Sequence, residues 1–223
     1  MKSWMICLVL AAVLLLGSVS VGAGDFGATA CADYLFGKLE SWWRSDSDVN
    51  GFLLRAEAPV TGPFGVLGEA GFLTAKDYFY GESESLAAGD LKVQDWNLFA
   101  TYALPIEGVQ LKALGGYGSA RFPDEADVAY AFKGFKLGAA AELKPVENLT
   151  LNGLVAFGLG AKACFNEGDE FDAKATEYRL SGSYAVTSNV AIEAGYSYAK
   201  YEYTDEAPYF ATKGFFVGAK ATF

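Results

Sequence analysis

No histidine occurs anywhere in this sequence, so the one side chain that shuttles protons near neutral pH without environmental tuning is missing. Basic residues are also few: 17 Lys plus Arg stand against 27 Asp plus Glu, a formal net charge of −10. That balance argues against a nucleic-acid partner, which needs clustered Lys and Arg. There are three cysteines. Cys7 lies in the leader described next, and Cys31 and Cys164 remain as an even pair that permits a disulfide without assigning one. Long apolar runs are confined to the start. "MKSWMICLVLAAVLLLGSVSVGAGD" carries one lysine, an apolar stretch from Met5 to Leu16, and small residues ending Val21-Gly22-Ala23. This is the layout of a secretory signal peptide with cleavage expected after Ala23. The tail of Gly, Ser and Ala disfavours a retained membrane anchor. The expected organisation is a signal peptide over 1–23 and one exported domain over 24–223, with Lys2 lost and a charge of −11 (−10 − 1).

What is present is rhythm. Turn chemistry recurs in "VTGP" at 60–63, "LPIEG" at 104–108, "KPVEN" at 144–148 and "VTSN" at 186–189, spaced by roughly 40 residues. Longer polar segments lie between them. Strictly alternating short and long connections are what a chain of antiparallel hairpins gives. At about 40 residues per hairpin, the exported domain holds about five hairpins and about ten strands.

The stretches between connections alternate with period two. In "DWNLFATYAL", Trp96, Leu98, Ala100 and Tyr102 share a face opposite Asp95, Asn97 and Thr101. In "GVQLKALGGY", Val109, Leu111, Ala113, Gly115 and Tyr117 oppose Gln110 and Lys112; "EYRLSGSYAV" sets Tyr178, Leu180, Gly182, Tyr184 and Val186 against Glu177 and Arg179. Across the nine clearest strands no charge falls on an apolar face. The same alternation disposes of a calcium motif. "DSDVNGFLLRAE", Asp46 to Glu57, has the spacing of an EF-hand loop. A helix must follow such a loop, whereas Phe52, Leu54, Ala56, Ala58 and Val60 alternate as a strand and Pro59 bars a helix. "RSDSDVNG" is expected to be a loop, and Asp46 and Asp48 could hold a calcium ion only as an open-loop pair.

Two barrels fit these strands with opposite faces inward. A soluble periplasmic ligand-binding barrel would bury the apolar face, while a transmembrane barrel turns it to lipid. Strands of 9–11 residues or more suit a tilted crossing. The apolar faces are rich in Gly and Ala between aromatics, not dense in Leu, Ile and Val as a packed core would be. Aromatics such as Trp96 and Tyr102 stand near strand ends. The sequence closes on "GFFVGAKATF", with Phe215, Val217, Ala219, Ala221 and Phe223 on one face. This end resembles the terminal β-signal of Gram-negative outer-membrane proteins, and the exported domain resembles the small OmpA-type and porin-like outer-membrane barrels. The resemblance implies an all-β, closed antiparallel transmembrane barrel with short periplasmic turns, longer extracellular loops, and Phe215, Val217 and Phe223 read by the outer-membrane assembly machinery. About ten strands are expected. Eight are the alternative, because "YLFGKLESWWR" alternates weakly and could be a helix.

The polar faces would then line a lumen. Basic residues Arg55, Lys112, Lys136, Lys162, Arg179 and Lys220 balance acidic Glu57, Glu69, Asp95, Glu142, Glu177 and Glu193. The expectation is a polar network of interlocking ion pairs, Arg179 with Glu193 among them, filling a narrow interior in a structural or surface protein. A small-solute channel is the alternative, through gaps left by Gly116, Gly118, Gly138, Gly158 and Gly160. Enzymes of the resembled family engage a histidine, so no catalytic residue and no cofactor are assigned. The carboxylates Glu82, Glu84, Asp169 and Glu170 are expected to be loop charge, and no metal ligand set is assigned. Expected partners are outer-membrane lipid and lipopolysaccharide. Divalent cations could bridge acidic loops such as Glu167, Asp169, Glu170 and Asp172, and Tyr78, Phe79 and Tyr80 are expected to border the membrane.

Overall fold

Each alternating stretch hydrogen-bonds to its neighbours in the chain, and the last strand returns to the first. The computed structural model describes residues 27–42, 44–79, 88–104, 106, 108–123, 129–165, 170–203 and 209–223. The expected signal peptide lies outside these residues. The ten strands are β1 Thr29–Ser41, β2 Arg44–Thr61, β3 Phe64–Phe79, β4 Ala88–Leu104, β5 Gln110–Pro123, β6 Ala129–Val146, β7 Leu149–Phe165, β8 Glu170–Ala185, β9 Val190–Tyr203 and β10 Tyr209–Thr222. All pairings are antiparallel and consecutive, and β1 pairs with β10 to close the ring. Closure leaves no unpaired edge, the condition for a sheet in hydrocarbon.

The count is ten, not eight. The weak segment is β1, a strand and not a helix. Its alternation is blurred because both faces are apolar: Tyr34 and Phe36 point out while Leu35 and Leu39 are buried inside. Tight connections fall where the turn chemistry stood. Gly62 takes a positive φ of 53° before Pro63, and Val146 faces Leu149 across Glu147-Asn148. Thr187 Oγ1 accepts from the Asn189 and Val190 amides at 3.3 and 3.0 Å. These connections define a turn end of the barrel, where β1 begins and β10 ends: the Phe223 amide donates to the Ala28 carbonyl at 2.9 Å. The other end is the loop end.

Strands run 13 to 18 residues, well beyond the 9–11 a tilted strand needs to cross a bilayer. Polar segments continue the ladder instead of looping. "RSDSDVN", expected as a loop, belongs to β2, with Asp48 opposite Lys38 in register.

The apolar face points outward. Phe52, Leu98, Phe135, Leu137, Leu180, Ile192 and Phe215 are all more than half exposed, which overturns the soluble barrel. On β6 the outward positions from Phe135 to Leu143 are all apolar. Eight residues at about 3.4 Å and a tilt near 40° span roughly 21 Å, close to the usual hydrocarbon band. Toward the loop end an aromatic row caps the band, with Trp96 to Tyr117 at 5.9 Å and Tyr117 to Phe135 at 5.5 Å between ring centroids. Toward the turn end Phe64 meets Tyr102 edge-on at 5.1 Å.

Candidate functional site

The lumen divides into two levels. Toward the loop end, inward positions of β1 to β10 are mostly apolar, with Ser41, Ser47 and Thr212 as buried polar exceptions, and the apolar side chains meet across the bore. Phe122 on β5 and Phe210 on β10 stack with centroids 4.5 Å apart and planes 19° apart. In a ring of ten strands β5 and β10 stand five places apart, diametrically opposite, so this contact spans the bore. Phe132 and Tyr201 complete the cluster, each within 6.0 Å of Phe122 by centroid. All four rings are no more than 2% exposed. Leu39, Val49, Leu91 and Val93 pack beneath them from the β1–β4 wall.

Below the rings the lumen is charged. Arg179 on β8 meets Glu69 on β3 at 2.5 Å, again across a full diameter. Arg55 reaches Glu193 at 2.8 Å and lies 3.7 Å from Asp33. Lys136 is ion-paired with Glu177 and donates to Asn97 Oδ1 at 2.5 Å. Asn97 Nδ2 in turn donates to Glu177 at 3.0 Å, and the Tyr201 hydroxyl donates to the same carboxylate at 2.5 Å. Tyr201 therefore joins the two levels, ring above and hydroxyl below. Nearer the turn end Lys112 pairs with Glu57, and Lys220 lies 3.9 Å from Glu142. A cavity of about 70 Å³ sits there, bounded by Glu57, Lys112, Glu142, Arg179 and Lys220. That is room for several waters.

Of the residues expected in the lumen, Arg55, Glu57, Glu69, Asp95, Lys112, Lys136, Arg179 and Glu193 all face inward, as do Glu142, Glu177 and Lys220. Two details differ from expectation. Arg179 takes Glu69, and Glu193 takes Arg55, because Arg179 stands opposite Ser197 in register, four residues from Glu193. Lys162 points outward to Asp172 at 2.5 Å, with Ala161 and Ala163 buried inside. A β-bulge is the cause: Phe135 faces Leu159 but Lys133 faces Lys162, one residue too many on β7. Gly160 absorbs it with φ of 58°.

The lumenal glycines are not gaps. A Cβ at Gly118 would fall on Asn97 Oδ1 and 2.9 Å from Lys136 Nζ, so the glycine makes room for that hub. Gly116, Gly138 and Gly158 are likewise crowded by neighbouring strands, and Gly160 is the bulge. Alternation alone missed Asp33, Tyr201 and the rings. Asp33 lay just before the weak segment that begins at Tyr34, and Phe122 and Phe210 sat in segments read as loops.

Cys31 and Cys164 are free; Cys31 faces the lumen and lines the turn-end cavity, while Cys164 lies on the outer face beside buried Ala163. Cys31 is at the turn end opposite Lys220, and Cys164 at the loop end opposite Ala131. Among the described residues no cluster of three or more potential metal ligands occurs. Glu170 and Asp172 are instead held by Lys133 at 2.6 Å and Lys162 at 2.5 Å. Glu82, Glu84, Glu167, Asp169 and Tyr80 lie outside the described residues. Phe215, Val217 and Phe223 form the outward face of β10.

No family model and no curated protein matches the chain. Solved structures do. The outer-membrane protease OmpT of Escherichia coli aligns over 92% of this chain and 99% of its own, with a TM-score of 0.55 and 11% identity. An outer-membrane channel of Pseudomonas putida F1 aligns over 92% and 100%, with a TM-score of 0.50 and 12% identity. Neisserial surface protein A covers 90% and 100% at 15% identity, with a TM-score of 0.45. The fold is that of the Gram-negative outer-membrane β-barrels, and identities this low carry nothing further.

Proposed function

We propose that this ten-stranded barrel of the outer-membrane type is a structural protein of that membrane whose lumen is shut to solutes, with its turn end in the periplasm and its loop end outside. The observation that carries the reading is the double closure across full diameters, Phe122 on Phe210 at one level and Arg179 on Glu69 at the next. A ten-stranded bore is little wider than the eight-stranded barrels that side chains alone fill, whereas open porins have about 16 to 18 strands. A strongly selective pore would present a ring of one sign; here each lumenal cation lies against an acid.

The folds of a protease and of a channel are similar to this one, and neither activity follows. Protease chemistry without histidine would fall to carboxylates, and three of the lumenal ones are engaged: Glu69, Glu177 and Glu193 each hold a cation. A channel reading has only the cavity near the turn end in its favour, and Arg179–Glu69 forms part of its wall. Its expected content is water.

Planar-bilayer recording tests this directly. The refolded mature protein is expected to give no steady unitary steps. Phe122→Ala with Phe210→Ala is expected to stay silent, because the ion pairs below still cross the bore. Adding Arg179→Ala and Glu69→Ala is expected to produce conductance. Steps from the unaltered protein would overturn the closed barrel.

A further inference from the structure

Barrel closure joins β1 to β10, and the lumenal side chains beside that seam are not evenly matched. Asp33 on β1 and Glu193 on β9 both stand opposite Gly218 on β10, one from each side. With no side chain between them, the two carboxyl groups converge over the glycine. A Cβ at Gly218 would lie 2.2 Å from Asp33 Oδ1, so the acid occupies the space the glycine leaves. Arg55, reaching in from β2, approaches both. Its Nη2 is 2.8 Å from Glu193 Oε1 and 3.7 Å from Asp33 Oδ2. The first is hydrogen-bond distance and the second is too long.

The other groups facing this cluster are committed elsewhere or uncharged. Arg179 on β8 is paired with Glu69 on β3, and Lys220 on β10 leans toward Glu142 at 3.9 Å. Cys31, the next inward residue of β1, is a free thiol, and Ser181 on β8 adds a hydroxyl beside Glu193. One arginine is left for two acids. Asp33 is 2% exposed and Glu193 is 1% exposed. The second oxygen of each, Asp33 Oδ1 and Glu193 Oε2, has no hydrogen-bond partner.

Leaving both acids ionised would bury an uncompensated charge, and a site this enclosed neutralises such a charge with a cation or a proton. A metal ion needs a hole and several oxygens. Asp33 is not part of the turn-end cavity wall, and its free oxygen is pressed against the β10 backbone. Among the described residues no set of three metal ligands forms. A proton needs no space, and it turns one orphaned oxygen into the donor that the other lacks.

We infer that Asp33 and Glu193 share one proton in the closed barrel, carried on Asp33 Oδ1 and donated to Glu193 Oε2, so that sealing the β1–β10 seam takes up a proton from solution. Arg55 then keeps Glu193 as its ionised partner, and the cluster is neutral. The inference holds whether or not the lumen conducts. An aspartate in the unfolded chain releases its proton near about pH 4. Above that value the closed barrel holds one proton more than the unfolded chain. Relative to a variant without this acid, its stability therefore falls as pH rises, by up to about tenfold in the folding equilibrium per pH unit. The fall ends where the closed barrel itself releases the proton.

Infrared spectroscopy of the mature protein refolded in vesicles at pH 7 reads the proton directly, because a carboxylic acid and a carboxylate have separate stretching bands. Subtracting the Asp33→Asn spectrum from the parent is expected to leave one carboxylic-acid band. Subtracting Glu193→Gln is expected to leave the same band, since Asp33 then ionises against the freed Arg55. Should one variant fail to fold, the other decides. The urea midpoint of the compact gel band is the second readout. Asp33→Asn supplies the same donor without titrating, and it is expected to gain on the parent between pH 5 and pH 8. Absence of the difference band, or an equal gap between Asp33→Asn and the parent at both pH values, would overturn the inference. So would parent stability that follows sodium concentration at fixed ionic strength instead of pH, the mark of a bound metal ion.

Discussion

The two levels of the lumen close the same bore by opposite means. The upper level excludes water by packing, with four rings from β5, β6, β9 and β10 in contact. The lower level closes by pairing beside a small apolar cluster of Leu67, Phe99, Leu114 and Ala156, with each cation reaching an acid on another strand. Packing tolerates loss gradually, because rings can shift toward a gap. Pairing does not, because a buried charge stripped of its partner has nowhere to go. The sequence of the barrel reflects this. Inward glycines accompany the polar hub, where Gly118 leaves space for Asn97 and Lys136, while the upper level sets large rings against alanines such as Ala120, Ala161 and Ala163.

The contrast can be broken in order of severity. Lys136→Met strands Glu177 at a nearly dry site and is expected to cost about 3–5 kcal/mol, read as the urea midpoint of the compact gel band. Adding Glu177→Met and Asn97→Leu is expected to recover most of that loss, which would separate an unpaired charge from a packing defect. Phe210→Ala is expected to cost about 3 kcal/mol, the low end for a buried ring, because the half-buried Tyr130 ring already lies 5.1 Å away and can settle into the space. Gly118→Ala would push a methyl into Asn97 and Lys136 and is expected to cost about 1–3 kcal/mol by the same measurement. Lys38→Gln removes an exposed pair with Asp48, 2.7 Å long, and is expected to leave the urea midpoint unchanged. If Phe210→Ala cost more than Lys136→Met, the upper level and not the lower would be the one that holds the barrel shut.

Much of this was legible before any coordinates. The turns at 62–63, 147–148 and 186–189 declared themselves by Gly, Pro, Asn and Ser, and the outward faces by an alternation free of charge. Most of the lumenal residues followed from parity. Partners did not. Which acid Arg179 meets depends on the strand count, which places β3 opposite β8, and on shear, which sets their relative height, and no local pattern encodes either. The rings were hidden because near the loop end the alternation inverts, with polar side chains outside and apolar ones inside, so Phe122 beside Arg121, and Phe210, read as parts of polar loops.

The bulge at Gly160 has an evolutionary side. Before it, odd-numbered residues of β7 face out, as Phe157 and Leu159 do; after it even-numbered ones do, as Lys162 does. A single-codon deletion there would restore even spacing and trade the tip of the strand between its two environments, sending Lys162 into the aromatic plug and Ala161 and Ala163 to the headgroups. One codon thus acts as a parity bit. A lineage can move a charge from the bore to the surface, or back, without mutating the charged residue at all.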